Sequence, residues 1–269
     1  MTETDENGER KEYMSGLEKG LDVLLAFDRE HPQLTLSEVA ERTSLSPSTA
    51  RRCLLTFQEL GYVGSYKKRF FLRPKVLDLG AAYLDSTNIE GLTKAYLTEL
   101  ATETGDSASL SVLDGCDIVY LAHASARTLL RLEARVGSRF PAYATSMGRV
   151  MLAGLPEDRL DHCLSKSNLI KFTEKTETDP EALKTLIARC REDGFSAVED
   201  ELAYGVVAVA VPVRDSNGRV VAAVNTSGHS RVSNKDAFVR DRLDLLRAAS
   251  QKISGELRRF PAAAMTLGG

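Results

Sequence analysis

The chain has 269 residues, 43% hydrophobic and 27% charged, which excludes a wholly disordered or collagen-like polymer and allows a sizeable core. Its four cysteines (Cys53, Cys116, Cys163, Cys190) form no CxxC pair, which argues against a disulfide framework or a zinc site of the usual spacing and for a reduced, cytoplasmic setting. Net charge is −3, yet Arg51, Arg52, Lys67, Lys68, Arg69, Arg73 and Lys75 stand against Glu59 alone between positions 51 and 75, a local +6 on a remainder of −9. That is a local anion-binding face rather than a general polyanion binder.

Residues 1–12 are polar and mostly acidic and read as a disordered tail, neither a signal peptide nor a basic transit peptide. A helix is expected to open at Ser15, with Ser15-x-x-Glu18 as a capping box and Leu17, Leu21, Leu24 and Leu25 as its apolar face, and to fade before His31-Pro32. A second capping box, Thr35-x-x-Glu38, opens a short helix with Leu36, Val39 and Ala40 inward. Ser46-Pro47 places a capping hydroxyl before a proline at the first helical position, and the third helix carries Ala50, Cys53, Leu54, Phe57 and Leu60 on one side up to Gly61. Tyr62-Val63 and Phe70-Phe71-Leu72 then form a hairpin with a basic tip. Three short helices and a basic hairpin over residues 13–74 make a winged helix-turn-helix. After Pro74, residues 75–90 read as a linker helix whose stripe of Val76, Leu79 and Tyr83 needs a partner surface.

Residues 91–260 read as an α+β domain. Its expected parts are a helix over 91–104, apolar runs 108–113 and 118–122 about the turn Asp114-Gly115, and an extended stretch over 129–134. Helices follow over 146–153, 156–164 and 180–192, the last with Leu183, Leu186, Ile187 and Cys190 on one face. Runs 206–213 and 220–225 flank the turn Asp215-Ser216-Asn217-Gly218, and a long last helix carries Val239, Leu243, Leu246, Ile253 and Leu257. Residues 261–269 read as a tail. The longest strongly apolar run, residues 206–211, is too short to span a bilayer, so no membrane partner is expected.

The start of the third helix, Ser46, Pro47, Ser48, Thr49, Arg51 and Arg52, suits double-stranded DNA: hydroxyls and the helix start take phosphate, and arginine reads guanine. Thr35 and the hairpin residues Lys67, Lys68 and Arg69 complete that candidate face, against the alternative of a protein-binding winged helix. The four histidines have no metal-ligand spacing, there is no phosphate loop, and no cofactor or metal is expected. Residues 144–148 only loosely match a serine nucleophile elbow, so Ser146 reads as a helix cap and no catalytic set is expected. Glu199-Asp200-Glu201 is either a solvated loop or supplies a carboxylate to a pocket. Asn225 and Ser227, at i and i+2 of a strand, point to one face and either hold a ligand or are ordinary edge residues.

Together these motifs resemble the IclR family of bacterial transcription regulators over residues 15–257. The resemblance rests on Leu36-Ser37-Glu38-Val39-Ala40, Arg51-Arg52-Cys53-Leu54, Leu60-Gly61-Tyr62-Val63 and Leu77-Asp78-Leu79-Gly80. In the second domain it rests on Val136-Gly137 through Pro141, Thr145-Ser146-Met147-Gly148-Arg149, Gly194-Phe195 through Glu201, and Ala210-Val211-Pro212-Val213. Residues 136–149, 198–202 and 223–227 are similar to the Pca and Pob branch, which controls aromatic-acid catabolism through the β-ketoadipate pathway. The resemblance implies a GAF-like effector domain, a homodimer or dimer of dimers, RNA polymerase as a partner if the chain activates, and a small aromatic or dicarboxylic acid as effector. It places effector contacts at Thr145, Ser146, Met147 and Gly148, where backbone N–H groups would hold a carboxylate, and at Asn225 and Ser227. Val198 and Ala208 stand where the founding regulator has a pocket aspartate and cysteine, which favours a larger, more apolar ligand. Glu201 is expected to bond the loop backbone or accept from a ligand hydroxyl.

Overall fold

Capping chemistry sets the first helices of the structure, a computed structural model that describes residues 13–125 and 135–267. α1 (Ser15–Leu25) departs from expectation: Ser15 is its first helical residue, Met14 holds the cap position, and no side chain caps it. Its buried face is Gly20, Val23 and Leu24, while Leu17, Leu21 and Leu25 are exposed. Gly20 allows a close approach, since a Cβ there would lie 3.3 Å from the Phe57 ring. β1 (Leu34–Thr35) leads into α2 (Leu36–Arg42), whose capping box forms as expected, with the Thr35 N–H donating to Glu38 at 2.6 Å and the Glu38 N–H to Thr35 at 3.3 Å. α3 (Pro47–Glu59) starts at the Ser46 cap with Pro47 in its first turn. β2 (Val63–Tyr66) and β3 (Arg69–Leu72) form the hairpin, and β3 also pairs with β1, giving the order β1-β3-β2. Val23, Leu34, Val39, Ala50, Leu54 and Val63 are the core of this winged helix-turn-helix.

A 3-10 turn (Pro74–Val76) precedes α4 (Leu77–Thr87), and the chain divides into two compact units between Ala82 and Tyr83. The linker helix does not run on to residue 90: Asn88 takes a left-handed conformation (φ 48°), and α5 (Ile89–Thr104) starts after it.

The second unit is built on one antiparallel six-stranded sheet in the order β6-β5-β4-β9-β8-β7. The strands are β4 (Ser107–Asp114), β5 (Asp117–Ala124), β6 (Arg139–Pro141), β7 (Ser196–Glu199), β8 (Val206–Arg214) and β9 (Val220–His229). Both hairpins fall where the turn residues put them. β6 and β7, of three and four residues, are too short to show a period, and the sequence pattern gives no sign of them. The expected stretch over 129–134 lies outside the described residues.

Strand alternation sorts the two faces by size. Leu110, Val112, Val207, Val209, Val211 and Val224 pack with α5 and with α9 (Lys235–Arg259). The opposite face carries short side chains, Ser109, Ser111, Ala208, Ala210, Ala223 and Asn225. There the sheet meets α6 (Ser146–Ala153), which packs with α7 (Glu157–Lys166) and α8 (Pro180–Asp193) in a second core. Residues 261–269 are not simply a tail, because α10 (Pro261–Leu267) forms and buries Ala263, Ala264 and Leu267.

Candidate functional site

The start of α3 gathers a knot of hydroxyls. Ser46 Oγ accepts from the Thr49 N–H at 3.2 Å and lies 3.0 Å from Ser48 Oγ and 2.9 Å from Thr49 Oγ1. Arg51 and Arg52 are exposed one turn further on. The other expected members divide. Lys67 and Lys68 form the two-residue tip of the hairpin, both left-handed at φ 46° and 65°, with Lys67 Nζ 5.2 Å from the Tyr66 ring. Thr35 is committed to its capping box, whose N–H and hydroxyl hold the Glu38 carboxyl below the usual carboxylate range. Arg69 donates to Gln33 O at 3.3 Å and Glu38 at 3.5 Å. Lys75 donates to Leu60 O at 2.9 Å and covers the Tyr62 ring. Of the candidate DNA-facing residues, the cations that project freely are therefore those at the α3 start and the hairpin tip.

In the second unit a cavity of about 60 Å³ lies on the short-side-chain face of the sheet. Thr145, Ser146, Met147, Val198, Glu201, Ala208, Asn225 and Ser227 all line it. Thr145, not Ser146, caps α6: its Oγ1 accepts from the Gly148 N–H at 3.1 Å. That engages the Gly148 N–H, and Gly148 does not line the cavity. Its glycine has a packing reason, since a Cβ would fall 2.1 Å from Ala142 O. Ser146 and Met147 hold the first two helical positions, whose N–H groups have no acceptor within the helix. Met147 Sδ accepts from Ser111 Oγ at 3.1 Å.

Glu201 is bonded neither to the loop backbone nor left to a ligand. Its carboxylate takes both arms of the buried Arg149 guanidinium, Nη1 to Oε1 at 2.8 Å and Nη2 to Oε2, while Arg149 Nε donates to Tyr143 O at 2.8 Å. Of the acidic triplet, Glu201 lines the cavity, whereas Glu199 and Asp200 do not. Asp200 (φ 57°) ties its loop together, with Oδ1 accepting from the Gly205 N–H and Ser230 Oγ, both at 2.8 Å. Burial alone would raise the Asp200 carboxyl, but these donors and Lys175 hold it below the usual value. Thr173 and Thr176 clasp the same loop through the Asp200 and Glu201 carbonyls.

Sequence reasoning missed several lining residues: Ser107, Tyr120, His123, Phe140 and Leu202 among them. Tyr120 and Phe140 stack edge to face at 5.6 Å, and burial pushes the Tyr120 phenol up. His123, exposed among the described residues, lies 2.9 Å from Ser109 Oγ through Nδ1, and partial desolvation of its ring holds the imidazole below the usual value, hence neutral near pH 7. Asn225 is buried, and its Oδ1 has no hydrogen-bond partner among the described residues. Among those residues no helix is long and apolar enough to cross a membrane, and no group of three or more His, Cys, Asp or Glu comes together to hold a metal.

Two family models match the chain: the IclR helix-turn-helix domain over residues 16–65 and the bacterial transcriptional regulator IclR C-terminal domain over residues 81–255. The Pca regulon regulatory protein of Pseudomonas putida is 36% identical over 247 residues, 91% of this chain and 85% of that protein. The p-hydroxybenzoate hydroxylase transcriptional activator of Acinetobacter baylyi is 30% identical over 90% of this chain and 92% of its own. Among solved structures, a transcriptional regulator from Rhodococcus sp. RHA1 superposes with a TM-score of 0.80 at 40% identity, covering 92% of this chain and 100% of that one. An IclR homologue of Microbacterium hydrocarbonoxydans complexed with 4-hydroxybenzoate superposes with a TM-score of 0.76 at 26% identity, covering 91% and 99%.

Proposed function

The chain belongs to the IclR family of bacterial transcription regulators, and from that premise we propose that it switches genes of aromatic-acid catabolism in response to an aromatic carboxylate. Residues 13–74 bind operator DNA, 75–90 link, and 91–260 bind the effector. The cavity carries this reading. It opens onto the start of α6, where unsatisfied N–H groups and the helix dipole favour an anion. It is walled by the Tyr120 and Phe140 rings and by the short Val198 and Ala208 side chains, and it carries neutral polar groups at Asn225 and Ser227. The Glu201 carboxylate in its wall is neutralised by Arg149, which removes the repulsion an acid would otherwise meet. The relatives named for the Pca regulon and for p-hydroxybenzoate hydroxylase, and the homologue that holds 4-hydroxybenzoate, support the same chemistry.

On DNA, α3 enters the major groove with Ser46, Ser48, Thr49, Arg51 and Arg52 at its leading end, and Lys67 and Lys68 approach the backbone from the hairpin tip. Thr35 and Arg69 act mainly by fixing the helix pair. The test couples the two halves: calorimetry with protocatechuate, 4-hydroxybenzoate and β-ketoadipate, then operator binding with and without the acid that binds. An Arg51→Ala, Arg52→Ala variant is expected to lower the log–log salt slope by roughly 0.9 for each arginine that pairs with a phosphate. An unchanged slope and affinity rules out this recognition helix; binding of neither protocatechuate nor 4-hydroxybenzoate rules out the aromatic reading.

A further inference from the structure

We propose that His123, oriented by Ser109, selects the ligand's second polar group, and that this group is a ring hydroxyl rather than a second carboxylate. The inference rests on the reading that the cavity takes an organic acid. Strand register sets His123, Ser109 and Asn225 in one row across β5, β4 and β9, on the cavity face of the sheet. Ser109 is buried, and a buried hydroxyl proton needs an acceptor. His123 Nδ1, at 2.9 Å, is the hydrogen-bond partner of its Oγ among the described residues. Ser109 therefore donates to Nδ1, and the neutral ring carries its own proton on Nε2. His123 then meets a ligand as a donor.

At the other end of the row, Asn225 Oδ1 is a buried acceptor without a donor among the described residues. A cavity that donates on one side and accepts on the other is matched by a hydroxyl, which does both, or by two adjacent ring hydroxyls. A second carboxylate accepts from His123 but has no proton for Asn225. It would also add a charge beside the Glu201 carboxylate, whose compensation by Arg149 is already complete. The ligand class is thus a hydroxylated aromatic monocarboxylic acid, its carboxylate at the α6 start and its hydroxyl at the His123–Asn225 row.

Calorimetry on the full chain tests this with four probes: benzoate, 4-hydroxybenzoate, 3,4-dihydroxybenzoate and benzene-1,4-dicarboxylate. The hydroxylated acids are expected to bind about tenfold tighter than benzoate, and the dicarboxylate more weakly than benzoate. His123→Phe should cut the hydroxyl advantage, the ratio of hydroxybenzoate to benzoate affinity, by about tenfold. Ser109→Ala, which frees the tautomer without touching the ligand, should cut it less. His123→Asn, which keeps a side-chain donor, should restore part of it. A His123→Phe variant that weakens benzoate and hydroxybenzoate by the same factor, or neither, overturns the inference while leaving the aromatic-acid reading standing. So does tightest binding of the dicarboxylate. If the wild-type chain binds none of the four, both fall together.

Discussion

Arg149 is a full charge in the interior, 5% exposed at the side chain, and its guanidinium donates to both oxygens of Glu201 and to the Tyr143 carbonyl. Such a pair adds little over an apolar pair of the same shape, but removing one member strands the other. Arg149→Leu is expected to lower unfolding free energy by about 3 kcal/mol, and Arg149→Leu with Glu201→Leu to recover most of it. Denaturant melts of the wild type and the two variants check this; a double variant as unstable as the single one would mean that packing, not charge, is lost. The two residues are 52 positions apart, and nothing local in the sequence links them, so Glu201 was legible as a possible pocket residue but its partner was not. His123 was hidden for a more specific reason. Counting back from the Asp114-Gly115 turn sets Ser109 opposite Ala122, but a bulge after the Ser111–Tyr120 pair shifts the register and brings His123 opposite Ser109. One extra residue flips every side chain beyond it to the other face, and a bulge leaves no mark that alternation can read.

At the scale of elements, what was legible was whatever carries its own chemistry: the Thr35 and Ser46 caps, the two hairpin turns, and the long helices with a complete apolar face. What stayed hidden depended on partners. Of the α1 leucines that read as a core face, Leu24 is buried, but Leu17, Leu21 and Leu25 are exposed because Gly20 and Val23 turn inward instead, with Gly20 against the Phe57 ring. The hairpin tip between β2 and β3 shows a local preference overruled. A two-residue turn with both residues left-handed favours Asn-Gly, yet Lys67 and Lys68 occupy it. A left-handed non-glycine residue costs about 1 kcal/mol. We expect Lys68→Gly to stabilise the first unit by about that amount and, at the same time, to weaken operator binding, with a salt slope lower by about 0.9. Thermal melts and binding titrations over a salt series measure both. If DNA affinity is unchanged, the tip charge does not reach phosphate.

For the whole molecule, the outstanding demand is apolar surface. Leu17, Leu21 and Leu25 on α1 are 61%, 45% and 80% exposed, and Leu77 and Leu79 on α4 are 74% and 52% exposed. Scattered single leucines need no explanation, but the i, i+4, i+8 row on α1, with further exposed leucines on α4, does. The linker stripe is legible from spacing, though with Val76 as a member; Val76 instead packs against the first unit's core, and Leu79 and Tyr83 remain exposed. We propose a second copy of the chain as the occupant, because one helix-turn-helix reads a half-site and a two-fold pair reads two. Joining two half-sites makes the second binding event intramolecular, at an effective concentration in the millimolar range, and so multiplies affinity by about 10² or more with the same DNA-facing residues. Leu21→Asp with Leu79→Asp should therefore separate the copies and weaken binding to a paired operator by about a hundredfold. Binding to an isolated half-site should stay the same, since neither residue belongs to the α3 start or the hairpin tip. Sedimentation of the wild type and variant at micromolar concentration, beside titrations on paired and single half-sites, decides the matter. A wild-type monomer, or a variant that remains dimeric with full affinity, would remove this surface from the assembly.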